Sequence, residues 1–187
     1  MHPRSEEVLG YLDHTREELR AAVDAVPAEL RNTRPTADQW SVAQVLNHLT
    51  IAHDRVAAVV DRWISEAKAA GLAAETDSGS VLNTIPTERI LDRTQKVQAP
   101  AAIVPRSDID AAEAWTELDQ ARDKLRAALL SGDGLALAQV VQPHPVLGPL
   151  NMYQWILFNG SHEARHTLQV REIGAALGAG KEKTAAP

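Results

Sequence analysis

The chain has 187 residues, 44% of them hydrophobic and 24% charged, which is the composition of one globular domain. A net charge of −6 without a basic block makes a nucleic-acid partner unexpected. The absence of cysteine excludes disulfides, thiolate ligands and cysteine nucleophiles, so a metal ion must be held by His, Asp, Glu or backbone oxygen. No stretch resembles a signal peptide or a membrane span, and we therefore expect a cytoplasmic protein without a membrane partner.

Two helices are predicted in the first part of the chain. Apolar residues at three- and four-residue steps predict a helix over 5–26, which Ser5 caps and Pro27 closes. A second helix begins at Ser41, which forms a capping box with Gln44, while Trp40 precedes it as part of a hydrophobic staple. This helix is expected to end near Gly71.

The second part of the chain predicts two more helices. Glycines and prolines interrupt the helical pattern from Gly71 to about residue 107. A third helix is predicted from Asp108 to Gly132, then a turn-rich connection, QPHPVLGPL, and a fourth helix from Asn151 to just before Gly178. No strand is predicted. The expected fold is all-α, a four-helix bundle in a single domain over residues 1–178, with a flexible C-terminal tail at 179–187.

The connection between the second and third helices is informative because its roughly 36 residues far exceed a usual loop. A connection of this length can span the bundle. We therefore expect helices 2 and 3 to run parallel, with antiparallel pairs 1–2 and 3–4.

The stretch GSHEARHTLQ contains His162-Glu-Ala-Arg-His166, which has the H-E-x-x-H pattern of zinc peptidases. The two histidines lie one helical turn apart, so both imidazoles can reach one metal ion from one face. The alternative is a surface or core pair that binds nothing.

A third histidine favours the metal interpretation. His48 lies early in the second helix among core-like residues, where a lone histidine is usually a hydrogen-bonded core residue. Two half-sites that are each costly to bury alone are better explained together. His53 is about 140° round the helix from His48 and is expected to face elsewhere. The predicted metal ligands are His48, His162 and His166.

The peptidase interpretation lacks its remaining parts. The positions three and six residues after His166, where a longer peptidase motif has Gly and His, are Gln169 and Glu172, and no histidine follows. Glu163 is displaced about 80° from the midpoint of the two ligands, so it could border the site without being aimed at it. We consider the peptidase match fortuitous.

Three segments together resemble the DinB-like (DinB/YfiT-like) superfamily of predicted metalloenzymes. They are WSVAQVLNHL, which contains His48, the segment HPVLGPL from His144, and HEARHTLQ from His162 to Gln169. The resemblance implies a four-helix bundle of up-down-down-up topology and a divalent zinc, nickel or iron ion on His48, His162 and His166. It also implies activities such as thiol S-transfer, thiol-dependent isomerisation or hydrolysis, and frequent homodimers.

Three neutral imidazoles would leave a divalent ion its charge and an open coordination position for water or a thiolate. Because the chain has no cysteine, a thiol would have to be a small molecule. We therefore expect a metal-dependent enzyme, either a small-thiol S-transferase or a hydrolase, acting on a small organic electrophile. The alternatives are a non-catalytic stress protein that binds a metal or small molecule, and a purely structural bundle.

Several other residues are candidates for supporting the site, each with a simpler alternative. Gln44 and Gln169 could orient the ligands, or be a helix cap and a solvent-facing residue. Glu163 and Asp54 are candidate carboxylates beside the site. His144 could guard the entrance or fix its own loop. Trp155 and Phe158 could line a pocket or belong to the core.

Overall fold

The computed structural model describes residues 1–95 and 97–178, and these are mostly helical. The helices are α1 (Pro3–Asp24), α2 (Val42–Ala69), the short α3 (Thr87–Leu91), α4 (Ala111–Ser131) and α5 (Met152–Ala176). Two short strands, β1 (Val141–His144) and β2 (Gly148–Asn151), form a hairpin. The prediction of an all-α protein is consistent with this. Among these helices, none is long and apolar enough to cross a membrane. The predicted tail, 179–187, lies outside the described residues.

Side-chain caps define the starts of the four long helices. Ser41 and Gln44 form the predicted capping box on α2, and Asn151 and Gln154 form an equivalent box on α5. The predicted cap of the first helix is wrong. α1 begins at Pro3, with His2 as N-cap, and Ser5 is buried within the helix. Proline is well suited to the first helical position because it has no N–H to leave unpaired.

The expectation of no strand is also wrong, because the QPHPVLGPL segment folds into the β1–β2 hairpin. His144 pairs with Gly148 across its turn, and Gly148 has a φ of +78°, which glycine adopts without strain. Pro143 and Pro149 face each other in the register. These prolines and the four-residue strands hide the alternation by which a strand is recognised. The hairpin leads directly into α5.

The core consists of two apolar clusters separated by buried polar residues. α2 packs on α4 and on α5, and α1 packs on α5. Along each long helix, the two clusters occupy opposite ends. The buried polar residues between them include Thr15 of α1, His53 of α2, Arg122 of α4 and Glu163 of α5. We call this group the polar layer. Its members are less than 9% exposed, so each needs a compensating partner.

The long connection between α2 and α4 is tied to α5. Arg165 donates hydrogen bonds to the carbonyls of Ile90, Asp92 and Gln95, and Arg93 makes a two-pronged pair with Glu172. A charged, forked guanidinium makes stronger and more directional bonds than a neutral donor. These contacts hold the connection beside the helix that carries two of the three predicted metal ligands.

Candidate metal centre

Three imidazoles from two helices meet at one point. His48 comes from the second turn of α2, and His162 and His166 lie one turn apart on α5. Nε2 of His162 lies 3.3 Å from Nε2 of His48 and 3.1 Å from Nε2 of His166. One ligand atom from each ring lies within 4.8 Å of the others. The three histidines grouped from the sequence therefore converge through the same ring nitrogen.

The other ring nitrogen of two of these histidines has a fixed partner. Nδ1 of His48 lies 2.7 Å from the carbonyl oxygen of Ile103, which only accepts, so this nitrogen carries the proton. Nδ1 of His166 lies 2.8 Å from Oε1 of Gln169 and likewise donates. In the neutral rings, the Nε2 atoms of His48 and His166 therefore present lone pairs toward His162.

This donor set fits a divalent cation. The Nε2 atom of His162 can donate a proton to only one of its two neighbours, which leaves lone pairs facing each other without a positive centre. Two imidazoles on one ion with metal–nitrogen distances of about 2.0–2.1 Å have nitrogens about 3.3 Å apart at tetrahedral angles and about 2.9 Å apart at octahedral angles. Of the two observed separations, 3.3 Å equals the tetrahedral value and 3.1 Å lies between the two values.

Burial keeps the three rings neutral. Burial is the main reason why the pKa of His48 is lowered. It is also the main reason why the pKa values of His162 and His166 lie well below the usual imidazole value. Repulsion between the rings lowers the values of His162 and His166 further. Because metal ions bind the unprotonated nitrogen, this environment favours metal over protons at neutral pH.

Aromatic side chains stand on two sides of the cluster. The Trp40 ring lies 4.9 Å from the His48 ring and 6.5 Å from the His166 ring, between centroids. The Phe158 ring is nearly parallel to the His162 ring at 6.0 Å. Trp40, Phe158 and His162 are each half-buried, so the cluster is reached from solvent on the side of His162.

His144 joins the hairpin to these aromatic residues. Its ring lies 4.2 Å from that of Phe158 and 4.7 Å from that of Trp155. Its Nδ1 accepts hydrogen bonds from the backbone N–H groups of Val146 and Leu147. His144 therefore holds its own loop in place, and its ring lies next to that of Phe158. Trp155 is 7% exposed and belongs to the larger apolar cluster.

The remaining candidates lie away from the three rings. The side-chain oxygen of Gln44 accepts from the backbone N–H of Ser41, so its contacts are those of a helix cap. Asp54 pairs with Lys124 of α4. Glu163 is turned into the core, where its Oε2 lies 3.2 Å from Nε2 of His53.

Some contributors to the site could not be found by residue type. The Ile103 carbonyl is a backbone atom 55 positions from the histidine it orients, and nothing in the sequence marks it. The Arg165 contacts are likewise to backbone carbonyls. Trp40 has a signal beyond its place in the hydrophobic staple, since it lies eight residues before His48, close to two helical turns.

Comparisons with known proteins point in the same direction. A family model described as the DinB superfamily matches residues 11–170. An uncharacterized protein of Bacillus subtilis, YuaE, is 33% identical over 146 residues, which is 78% of this chain and 83% of that protein. No solved structure matches the chain.

Proposed function

This chain belongs to the DinB superfamily, and from that membership we propose that it is a metal-dependent enzyme whose ion is held by His48, His162 and His166. The observation that supports the proposal best is the convergence of three Nε2 atoms with two of the opposite nitrogens already engaged. Zinc, nickel and iron are all suited to imidazole ligands.

The chain's own residues would bind and orient the ion. The Ile103 carbonyl and the Gln169 amide oxygen hold the tautomers in which His48 and His166 present Nε2. Three neutral ligands leave the charge of a divalent ion uncompensated. Such an ion, when bound, supplies a Lewis acid with an open position that activates water or a small thiol.

The aromatic walls suit a modest organic substrate. Trp40 provides apolar surface beside His48 and His166, and Phe158 provides it beside the half-buried His162. Organic electrophiles pack well on aromatic faces, and a cysteine-free chain needs an external thiol for S-transfer. We therefore propose two branches, a small-thiol S-transferase and a hydrolase, both acting on a small electrophile.

We also infer that the four long helices form a bundle with up-down-down-up topology. Parallel α2 and α4 are supported by contacts of Asn47 with Glu117 near the starts of both helices and of Lys68 with the Ser131 carbonyl near their ends. Antiparallel α2 and α5 are supported by the proximity of Trp63 to Trp155, at the end of one and the start of the other. Such an arrangement agrees with the length of the connection between α2 and α4.

The proposal is tested with protein prepared without a polyhistidine tag. Metal content is measured by elemental analysis, and turnover is assayed with zinc, nickel or iron. A chloronitroaromatic electrophile is offered with and without cysteine or glutathione, and a nitrophenyl ester is offered alone. We expect about one ion per chain. We also expect turnover either of the electrophile with a thiol or of the ester with water.

The matched variants are His162→Ala, which removes a proposed ligand, and His14→Ala, which removes an exposed histidine of α1. We expect metal and turnover to be lost in the first and kept in the second. Stoichiometric metal without turnover on any probe would favour the non-catalytic binding protein. Absence of stoichiometric metal in the unaltered chain would overturn the proposal.

A further inference from the structure

Glu163 lies directly after a proposed metal ligand but serves a different part of the molecule. Its side chain is 1% exposed. Its Oε2 lies 3.2 Å from Nε2 of His53 on α2 and 3.3 Å from Nε of Arg122 on α4. Within the described part of the chain, its carboxylate oxygens make no aligned hydrogen bond, so charge pairing is what compensates its burial.

Arg122 also connects Glu163 to α1, the remaining long helix. Arg122 also donates to the backbone carbonyl of Leu12 on α1, and Nδ1 of His53 lies 2.8 Å from the Leu49 carbonyl of its own helix. One carboxylate on α5 is therefore connected to α1, α2 and α4 at the level of the polar layer, between the two apolar clusters. A contact of this kind defines both the height and the rotation of a helix.

Apolar residues define the rotation of α5 poorly near its two histidines. From Met152 to Ser161, buried residues follow one another around the helix, and a segment buried all round has no single face to direct inward. From Glu163 onward, buried residues lie on one side, and those nearest the histidines are polar: Glu163, His166 and Thr167. Buried polar groups can specify register where apolar patterning does not, at some cost in stability.

We propose that Glu163, paired with Arg122 and His53, sets the rotation of α5 and thereby positions His162 and His166 opposite His48. This inference rests on the proposed function, that the three histidines hold a metal ion. Glu163 is a positioning residue, since its carboxylate is directed away from the three rings and its effect on the ion passes through the helix.

The size of the effect follows from helix geometry. Side-chain atoms lie roughly 5–6 Å from a helix axis, so a rotation of about 20° moves them by about 2 Å. Metal–ligand distances tolerate deviations of only about 0.2 Å. A rotation of α5 by about 20° is therefore enough to move two ligands away from a common ion.

The test separates positioning from simple stability by replacing the three polar side chains with apolar ones. The triple variant Glu163→Leu, Arg122→Met, His53→Leu fills the same space, and such replacements of buried ion pairs often preserve or raise stability. Affinity for Co²⁺ and its visible absorption spectrum are measured for this variant and for the unaltered chain. We expect a folded protein with at least tenfold weaker Co²⁺ binding and an altered spectrum.

Two further variants make the result decisive. Glu163→Gln keeps the side-chain shape and is expected to weaken Co²⁺ binding about tenfold, whether or not the triple variant folds. Leu129→Ala lies in the larger apolar cluster and should cost about 2–5 kcal/mol of stability, yet leave Co²⁺ affinity within twofold. The Leu129→Ala variant shows whether a loss of stability alone weakens Co²⁺ binding.

The outcomes are distinguishable. If the unaltered chain binds no Co²⁺, the proposed function fails. If it binds Co²⁺, and Glu163→Gln and any folded triple variant bind it with the same affinity and spectrum, the positioning role is overturned while the metal site remains.

Discussion

Two faces of α5, separated by about 80° of helix, bury polar side chains in opposite ways. On one face, His162 and His166 are kept neutral and turn their Nε2 atoms toward that of His48. On the other, Glu163 is surrounded by His53, Arg122 and Arg16. Burial acts to raise the pKa of Glu163, but hydrogen bonding and charge interaction with His53, Arg122 and Arg16 outweigh burial and lower it, so the carboxylate is charged at neutral pH.

The difference teaches how a short motif can divide between two tasks. In H-E-x-x-H peptidases the glutamate acts as general base at the metal. Here the same letters place the histidines in one cluster and the glutamate in the polar layer of the core. The ligand face, with His162 and His166, should therefore bind the metal directly. The charge face, with Glu163, should stabilise the apoprotein and act on the metal only through the position of α5. Changes on each face should therefore have different effects on stability and on metal binding.

The largest expected effect comes from the charge face. Glu163→Ala leaves Arg122 buried without its carboxylate, and breaking a buried ion pair in this way costs about 3–5 kcal/mol. Urea unfolding of the metal-free protein measures the loss. Glu66→Ala removes an exposed carboxylate that pairs with Arg62 and should cost less than about 1 kcal/mol. Equal costs for the two variants would contradict the division between the faces.

The ligand face should stabilise the protein only when metal is added. Zinc at one hundred times its dissociation constant is expected to add about 2.7 kcal/mol to the free energy of unfolding, because it binds the native state alone. Thermal unfolding across a zinc titration measures this gain. His162→Ala should abolish the zinc-dependent gain. A gain of the same size in that variant would place the zinc elsewhere on the chain.

Local features of the fold were the ones that the sequence predicted. The Ser41–Gln44 capping box depends on residues three apart, and the pairing of His162 with His166 depends on residues four apart. Grouping His48 with them required only the argument that two buried half-sites compensate each other. The three-histidine cluster was therefore predictable even though its helices are far apart in sequence.

Contacts between distant segments could not be predicted in the same way. The orientation of Glu163 depends on how α5 is rotated against α4. The part of α5 before Glu163 is buried all round, so its apolar residues do not indicate that rotation. The Ile103 carbonyl and the carbonyls bound by Arg165 belong to the backbone, which carries no residue-type signal. The β1–β2 hairpin is too short and too rich in proline for its alternation to be recognised.

A smaller effect is expected from the residue that orients His166. Gln169→Ala removes the oxygen that accepts from Nδ1 of His166, and loss of such a partner typically weakens metal binding by about tenfold to a hundredfold. Zinc affinity measured by competition with a chelating dye reports the change, and stability of the apoprotein should hardly move. Gln120→Ala, on the exposed surface of α4, is the matched control and should leave zinc affinity unchanged.

The smallest effect concerns pH and the metal-free protein. The pKa values of His48, His162 and His166 are lowered in the folded chain, so below an unfolded value of about 6.5 the unfolded chain binds more protons than the folded one. Stability contributed by these rings is therefore full above that value and is lost as the pH falls toward the folded values. Between pH 7.5 and 6.5 the three rings together should cost at most about 1 kcal/mol. Urea unfolding at both pH values measures the difference, which should shrink in a His162→Ala, His166→Ala variant. An unchanged difference would mean that the proton uptake occurs away from the ligand face.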